Sequence, residues 1–73
     1  MNQINVGDYY RHFKGFRIQI IALSKHTETE EELVTYKELS SGNVWSRPLA
    51  MFLSEVDHEK YPDVKQKYRF EKE

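Results

Sequence analysis

The sequence predicts an all-β domain: a small bent antiparallel sheet, or an SH3-like barrel, of four to five strands with one short helical turn. Three observations predict it. Residues 9–13 and 16–25 alternate with the two-residue period of strands, and the second stretch is rich in β-branched side chains. Two turn signals, Lys14-Gly15 and Ser40-Ser41-Gly42-Asn43, separate strand-like stretches. Short strands joined by hairpin turns build an antiparallel architecture. An SH3-like closure is preferred, because an OB-like barrel needs longer strands and more residues.

Residues 1–6 read as a loose start, with Ile4 and Val6 packing on the first strand, and Gly7-Asp8 suits a turn. Strand one, Tyr9–Phe13, points Tyr10 and His12 one way and Tyr9, Arg11 and Phe13 the other. Gly15 supplies the positive φ that the reversal needs. Strand two, Phe16–Lys25, lines one face with Phe16, Ile18, Ile20 and Ala22. Its other face, Arg17, Gln19, Ile21 and Leu23, turns from polar to apolar, as if its far end were buried on both sides. His26–Glu32 is a polar acidic loop. Strand three, Leu33–Leu39, sets Val34 and Tyr36 against Thr35 and Lys37. Strand four is Val44–Arg47, ended by Pro48, which lacks a ladder donor. Pro48–Glu55 reads as one helical turn with Pro48 at its first position. Asp57–Gln66 is polar, with a turn at Tyr61-Pro62-Asp63; Lys67–Phe70 is a candidate closing strand, and residues 71–73 read as frayed.

Seventy-three residues allow a single domain, spanning 1–73. A chain this short buries only roughly 60% of its unfolded surface. With no cysteine, neither a disulfide nor a cysteine metal site can staple it. Packing must do the work, and ten aromatic rings supply large areas for it. The net charge of −1 argues against a general nucleic-acid binder. The charge is uneven: residues 1–25 balance at +3 and residues 26–32 at −4. A local basic face is therefore compatible with the acidic whole. The N-terminus lacks the basic and apolar segments of a signal peptide, and an apolar run such as Ile20–Leu23 is far too short to span a bilayer. The expectation is a cytoplasmic protein with no membrane partner.

Several segments carry a family resemblance. They are Gly7 followed by Tyr10-Arg11-His12-Phe13-Lys14-Gly15, Ala22, His26-Thr27-Glu28-Thr29 and Val34-x-Tyr36-x-x-Leu39. Trp45-x-Arg47-Pro48, Met51-Phe52 and Arg69-Phe70 follow in order. Together they resemble a family of small bacterial proteins catalogued as domain of unknown function 1653, over nearly the whole chain. Members usually read His-Ser-Glu-Thr where this chain has Thr27; the hydroxyl is kept. The stretch between Val56 and Arg69 is longer here than in typical members. The resemblance implies a single β domain and names no activity.

Three groups of residues carry candidate chemistry. The basic-aromatic hairpin offers Tyr10, Arg11, His12 and Lys14: rings can stack, and Arg can pair bidentately with phosphate or carboxylate. The plainer reading makes its rings core and its cations a solvated face. The second is His26 with Glu28, which could join His12 and Arg47 as a proton-transferring set. The plainer reading is a tight turn satisfied by Thr27 and Thr29, with Glu28 paired to an Arg. The third is Trp45 and Arg47 on one face of strand four, with Tyr36 close by; these residue types are frequent at binding hot spots. The plainer reading buries Trp45 as the central core ring and uses Arg47 to anchor a loop through its carbonyls or Glu28.

No metal site is expected, because His12, His26 and His58 lack close ligand spacing. No cofactor is expected either, since Gly7, Gly15 and Gly42 are isolated and form no phosphate-cradling loop. The resulting expectation is a small non-enzymatic binding module whose basic-aromatic face takes a protein, an RNA segment or a small anionic ligand. It would be a monomer or a weak dimer through an edge strand. The alternative is a small enzyme with a His12/His26/Glu28 acid–base set and Arg47 as its anion site.

Overall fold

The computed structural model describes residues 4–73. Five strands and one helical turn follow in order: β1 Tyr9–His12, β2 Arg17–Lys25, β3 Glu32–Glu38, β4 Val44–Pro48, α1 Leu49–Phe52 and β5 Phe70–Lys72. They form one antiparallel sheet ordered β4-β3-β2-β1-β5. The β1–β2 reversal is a three-residue loop, Phe13-Lys14-Gly15, closed by His12 N–H donating to the Phe16 carbonyl (2.8 Å) and Gly15 N–H to the His12 carbonyl (2.8 Å). Gly15 sits at φ 102°, where a side chain is strained. At the β3–β4 turn, Gly42 N–H donates to the Glu38 carbonyl and Glu38 N–H to the Asn43 carbonyl, both at 2.8 Å.

Strand alternation sorts the side chains. Tyr10, Ile18, Ile20, Val34, Tyr36 and Phe70 are buried on one face, with His12 beside them. The one-turn helix exists to cover that face. Pro48 precedes it with extended ψ, and Phe52 drops onto the sheet, stacked on Phe70 (centroids 4.2 Å) and edge-on to Tyr10 (5.3 Å). Burying a ring of this kind contributes about 1.5–3 kcal/mol. Pro48 is thus the residue before the helix, not its first position, and it is also the last residue of β4.

The chain then leaves the sheet and returns. Ser54, Glu55 and Val56 pair with Arg69, Tyr68 and Lys67, so residues 57–66 form an excursion with a hydrogen-bonded neck. Phe13 N–H donates to the Arg69 carbonyl (2.9 Å), tying the neck to the β1–β2 turn. β5 follows and pairs with β1 through Tyr10↔Lys72, Arg11↔Glu71 and His12↔Phe70.

Three further expectations are corrected. Of the two forms expected, the structure has the small antiparallel sheet and not the preferred SH3-like barrel: β4 ends in Pro48, which has no N–H, and the three residues of β5 are spent on β1. Side chains bridge the gap instead, with the Arg47 guanidinium 5.3 Å from the Phe70 ring. The last strand is Phe70–Lys72 rather than Lys67–Phe70, so residues 71–73 are not frayed; Glu73 pairs with Arg17 at 2.8 Å. The far end of β2 is not buried on both sides. A bulge between Ile20 and Ala22 leaves Ile21 exposed and brings Leu23 opposite Val34, on the core face. At the expected loose start, Ile4 packs against the core as expected, Val6 is exposed, and residues 1–3 lie outside the described residues.

Candidate anion site

The gap between the two sheet edges holds a cavity of about 310 Å³. Arg47 enters it from β4, His12 from β1, Lys14 from the hairpin turn, Arg69 from the neck, and Lys60 and Asp57 from the excursion. The Phe13 and Tyr61 rings complete its wall, 5.1 Å apart. Four cations thus face one carboxylate.

Local structure explains each placement. Asp57 Oδ1 accepts the backbone N–H groups of Glu59 (3.1 Å) and Lys60 (3.3 Å), and Tyr61 N–H donates to the Asp57 carbonyl (2.9 Å). This turn aims Lys60 and Tyr61 back at the hairpin. Lys14 Nζ lies 5.7 Å from the Tyr61 centroid and 6.0 Å from that of Phe13. Arg47 Nε donates to the Tyr36 hydroxyl at 3.2 Å, which fixes the guanidinium and leaves its two terminal nitrogens. Arg69 Nε is buried and has no hydrogen-bond partner among the described residues. The three ion pairs of the described residues, Arg11–Glu73, Arg17–Glu73 and Lys72–Asp8, involve none of these four cations.

His12 forms the floor. Its ring is sandwiched between Phe16 (4.3 Å, interplanar 10°) and Phe13 (4.4 Å) and meets Phe70 edge-on (4.9 Å). Nδ1 accepts the Lys14 N–H at 3.0 Å, so the neutral ring carries its proton on Nε2, its remaining donor. Burial lowers its pKa to about 4, and Arg47, Lys14 and Arg69 each push it in the same direction. The imidazole is therefore neutral at pH 7, and it registers the positive field of the cavity.

The sequence-derived candidates scatter around this centre. His12, Lys14 and Arg47 meet in the cavity. Arg11 does not: it projects from the opposite face with Tyr9 and shares Glu73 with Arg17. Tyr10 is core, its hydroxyl buried without a partner among the described residues. Tyr36 is core too, and positions Arg47. Among the described residues Arg47 hydrogen-bonds neither a loop carbonyl nor Glu28.

Trp45 is not the central core ring. It lies on the core side of β4, opposite Tyr36, but is 51% exposed, because Phe52 covers Tyr10, Tyr36 and Phe70 and does not reach Trp45. His26 and Glu28 sit at the far tip of the β2–β3 hairpin. There His26 Nδ1 accepts the Glu28 and Thr29 N–H groups (3.2 and 3.4 Å), and Thr29 Oγ1 accepts that of Glu31 (3.2 Å). Ten residues of mostly extended chain, about 30 Å at 3.3 Å each, run from Phe16 to His26. The proposed His12/His26/Glu28 set does not assemble.

Arg69, Lys60, Tyr61, Phe13 and Asp57 were not candidates from the sequence. Arg69 stood in a recognised dipeptide, but nothing local shows that residue 69 returns to the turn at residue 13. No curated protein and no solved structure matches the chain. One family model, described as a protein of unknown function (DUF1653), matches residues 8–72, and the chain belongs to that family.

Proposed function

We propose that this domain is a binding module for a small anionic ligand, carrying phosphate or carboxylate, seated between Arg47, Arg69, Lys14 and Lys60. The observation that carries the reading is charge imbalance at a built cavity. Four cations line about 310 Å³ and the single carboxylate there, Asp57, is already committed to two backbone amides. Holding like charges together costs free energy that a bound anion would recover. Arginine forks suit phosphate and carboxylate oxygens, and the His12 Nε2–H adds a neutral donor.

Calorimetric titration with inorganic phosphate and pyrophosphate tests this. Binding is expected for the wild type. Lys60→Glu and Lys14→Glu, both at exposed positions, are expected to weaken it roughly tenfold or more, in line with loss of a charge-assisted contact. Arg11→Ala, on the other face, is expected to leave it unchanged. Equal losses for Arg11→Ala and Lys60→Glu would mean a diffuse surface effect and sink the proposal.

A further inference from the structure

We infer that the ligand is a free nucleoside monophosphate, with its phosphate in the cationic cavity and its base laid on Trp45. The inference rests on the anion-site reading above and names what lies beyond the anion. A second cavity, about 380 Å³, adjoins the first. It is lined by Phe16, Tyr36, Trp45, Pro48 and Met51, with Glu38 supplying a carboxylate. Arg47 lines both cavities. His12 of the first stacks 4.3 Å from Phe16 of the second, so the two linings are in contact. Trp45 and Arg47 are two residues apart on one strand face, about 7 Å along the strand. A ligand filling both therefore carries an anion and a flat apolar group on a short linker.

Trp45 is suited to the flat group. It is half exposed, and no aromatic ring stacks on it among the described residues. Base–aromatic stacking accepts any base, because every base has a π-face. Glu38 places an acceptor in the same cavity for an exocyclic amino group. The chemistry favours a free nucleotide over a nucleic-acid strand. A strand needs cations along a track, whereas here they converge on one pocket in a chain of net charge −1.

Trp45 is the only tryptophan and lines the second cavity but not the first, so its fluorescence is the probe of that cavity. Inorganic phosphate, ribose 5-phosphate, adenosine monophosphate and a 5′-phosphorylated oligoadenylate are titrated by calorimetry and fluorescence. Adenosine monophosphate is expected to quench Trp45 and to bind about tenfold or more tightly than phosphate or ribose 5-phosphate. Trp45→Ala is expected to remove that advantage while leaving phosphate binding intact, and Trp45→Phe to restore part of it. If the nucleotide and phosphate bind alike and Trp45 does not respond, the base site is refuted and the anion site stands. An oligoadenylate that binds far more tightly than the mononucleotide refutes the assignment to a free ligand. Failure of every compound to bind removes both readings.

Discussion

His12 is buried, neutral and surrounded by cations from three different parts of the chain. In the unfolded chain its pKa returns to about 6.5, so between pH 6.5 and 4 the unfolded state binds more protons than the folded one. The stabilisation is complete above pH 6.5 and is lost as pH falls toward 4; the full shift corresponds to about 3 kcal/mol. Urea unfolding at pH 7 and pH 4.5 is expected to show a decline that His12→Phe reduces. A phosphate in the cavity offsets Arg47, Lys14 and Arg69, so the NMR titration midpoint of His12 is expected to rise when phosphate is bound. Tyr10 is a simpler case. Burial and then Asp8 raise the pKa of its phenol, Lys72 opposing, and its hydroxyl is unpartnered among the described residues. A buried polar group without a partner costs about 1–3 kcal/mol. Tyr10→Phe is therefore expected to raise thermal stability by several degrees, and to lessen the stability lost above pH 10, where the unfolded phenol ionises first. Alternation alone puts Tyr10 and His12 on one face; what surrounds them there is set by residues up to sixty positions away.

The β1–β2 hairpin carries the pocket's floor and one of its cations, so its turn is the element with most at stake. A Cβ added at Gly15 meets nothing within 4 Å, yet φ is 102°. The penalty of Gly15→Ala is thus purely one of backbone conformation, about 1 kcal/mol or more. Thermal unfolding is expected to fall by roughly 4–8 °C per kcal/mol in a domain of this size. This turn, the Gly42 turn and the faces of β1 and β3 were legible because each is decided within a few residues. β5 was not. The polar Glu71-Lys72-Glu73 that ends the chain looks frayed until Glu73, just past β5, meets Arg17, 56 residues away, at 2.8 Å. The bulge in β2 was illegible for a different reason: in the apolar run Ile20-Ile21-Ala22-Leu23 no polar residue marks which side chain falls out of register. Trp45 misled because burial belongs to whatever covers a residue, and Phe52 lies on Tyr10, Tyr36 and Phe70 rather than on Trp45.

At the scale of the whole molecule the domain is uneven. Its radius of gyration, 12.4 Å, exceeds the roughly 11 Å of a compact chain of this length. The excess reflects the β2–β3 arm: β1 pairs only as far as Gln19, and residues 23–32 beyond the bulge are exposed. Acidic side chains cluster at that arm's tip, and the cations gather near the opposite end. Inorganic phosphate is expected to raise the melting temperature as its concentration passes its dissociation constant, and added sodium chloride to diminish the rise by screening. Calorimetric scans at two salt concentrations measure both. The hydrogen-bonded neck at Ser54–Arg69 has a practical corollary. It clasps the excursion shut, so residues 57–65 form a cassette that can be exchanged without displacing Arg69. Such a swap would replace Lys60 and Tyr61 and keep Arg47, His12 and Lys14. The selectivity of the proposed anion site could then be re-engineered in one surface segment, with the folding core left out of the library.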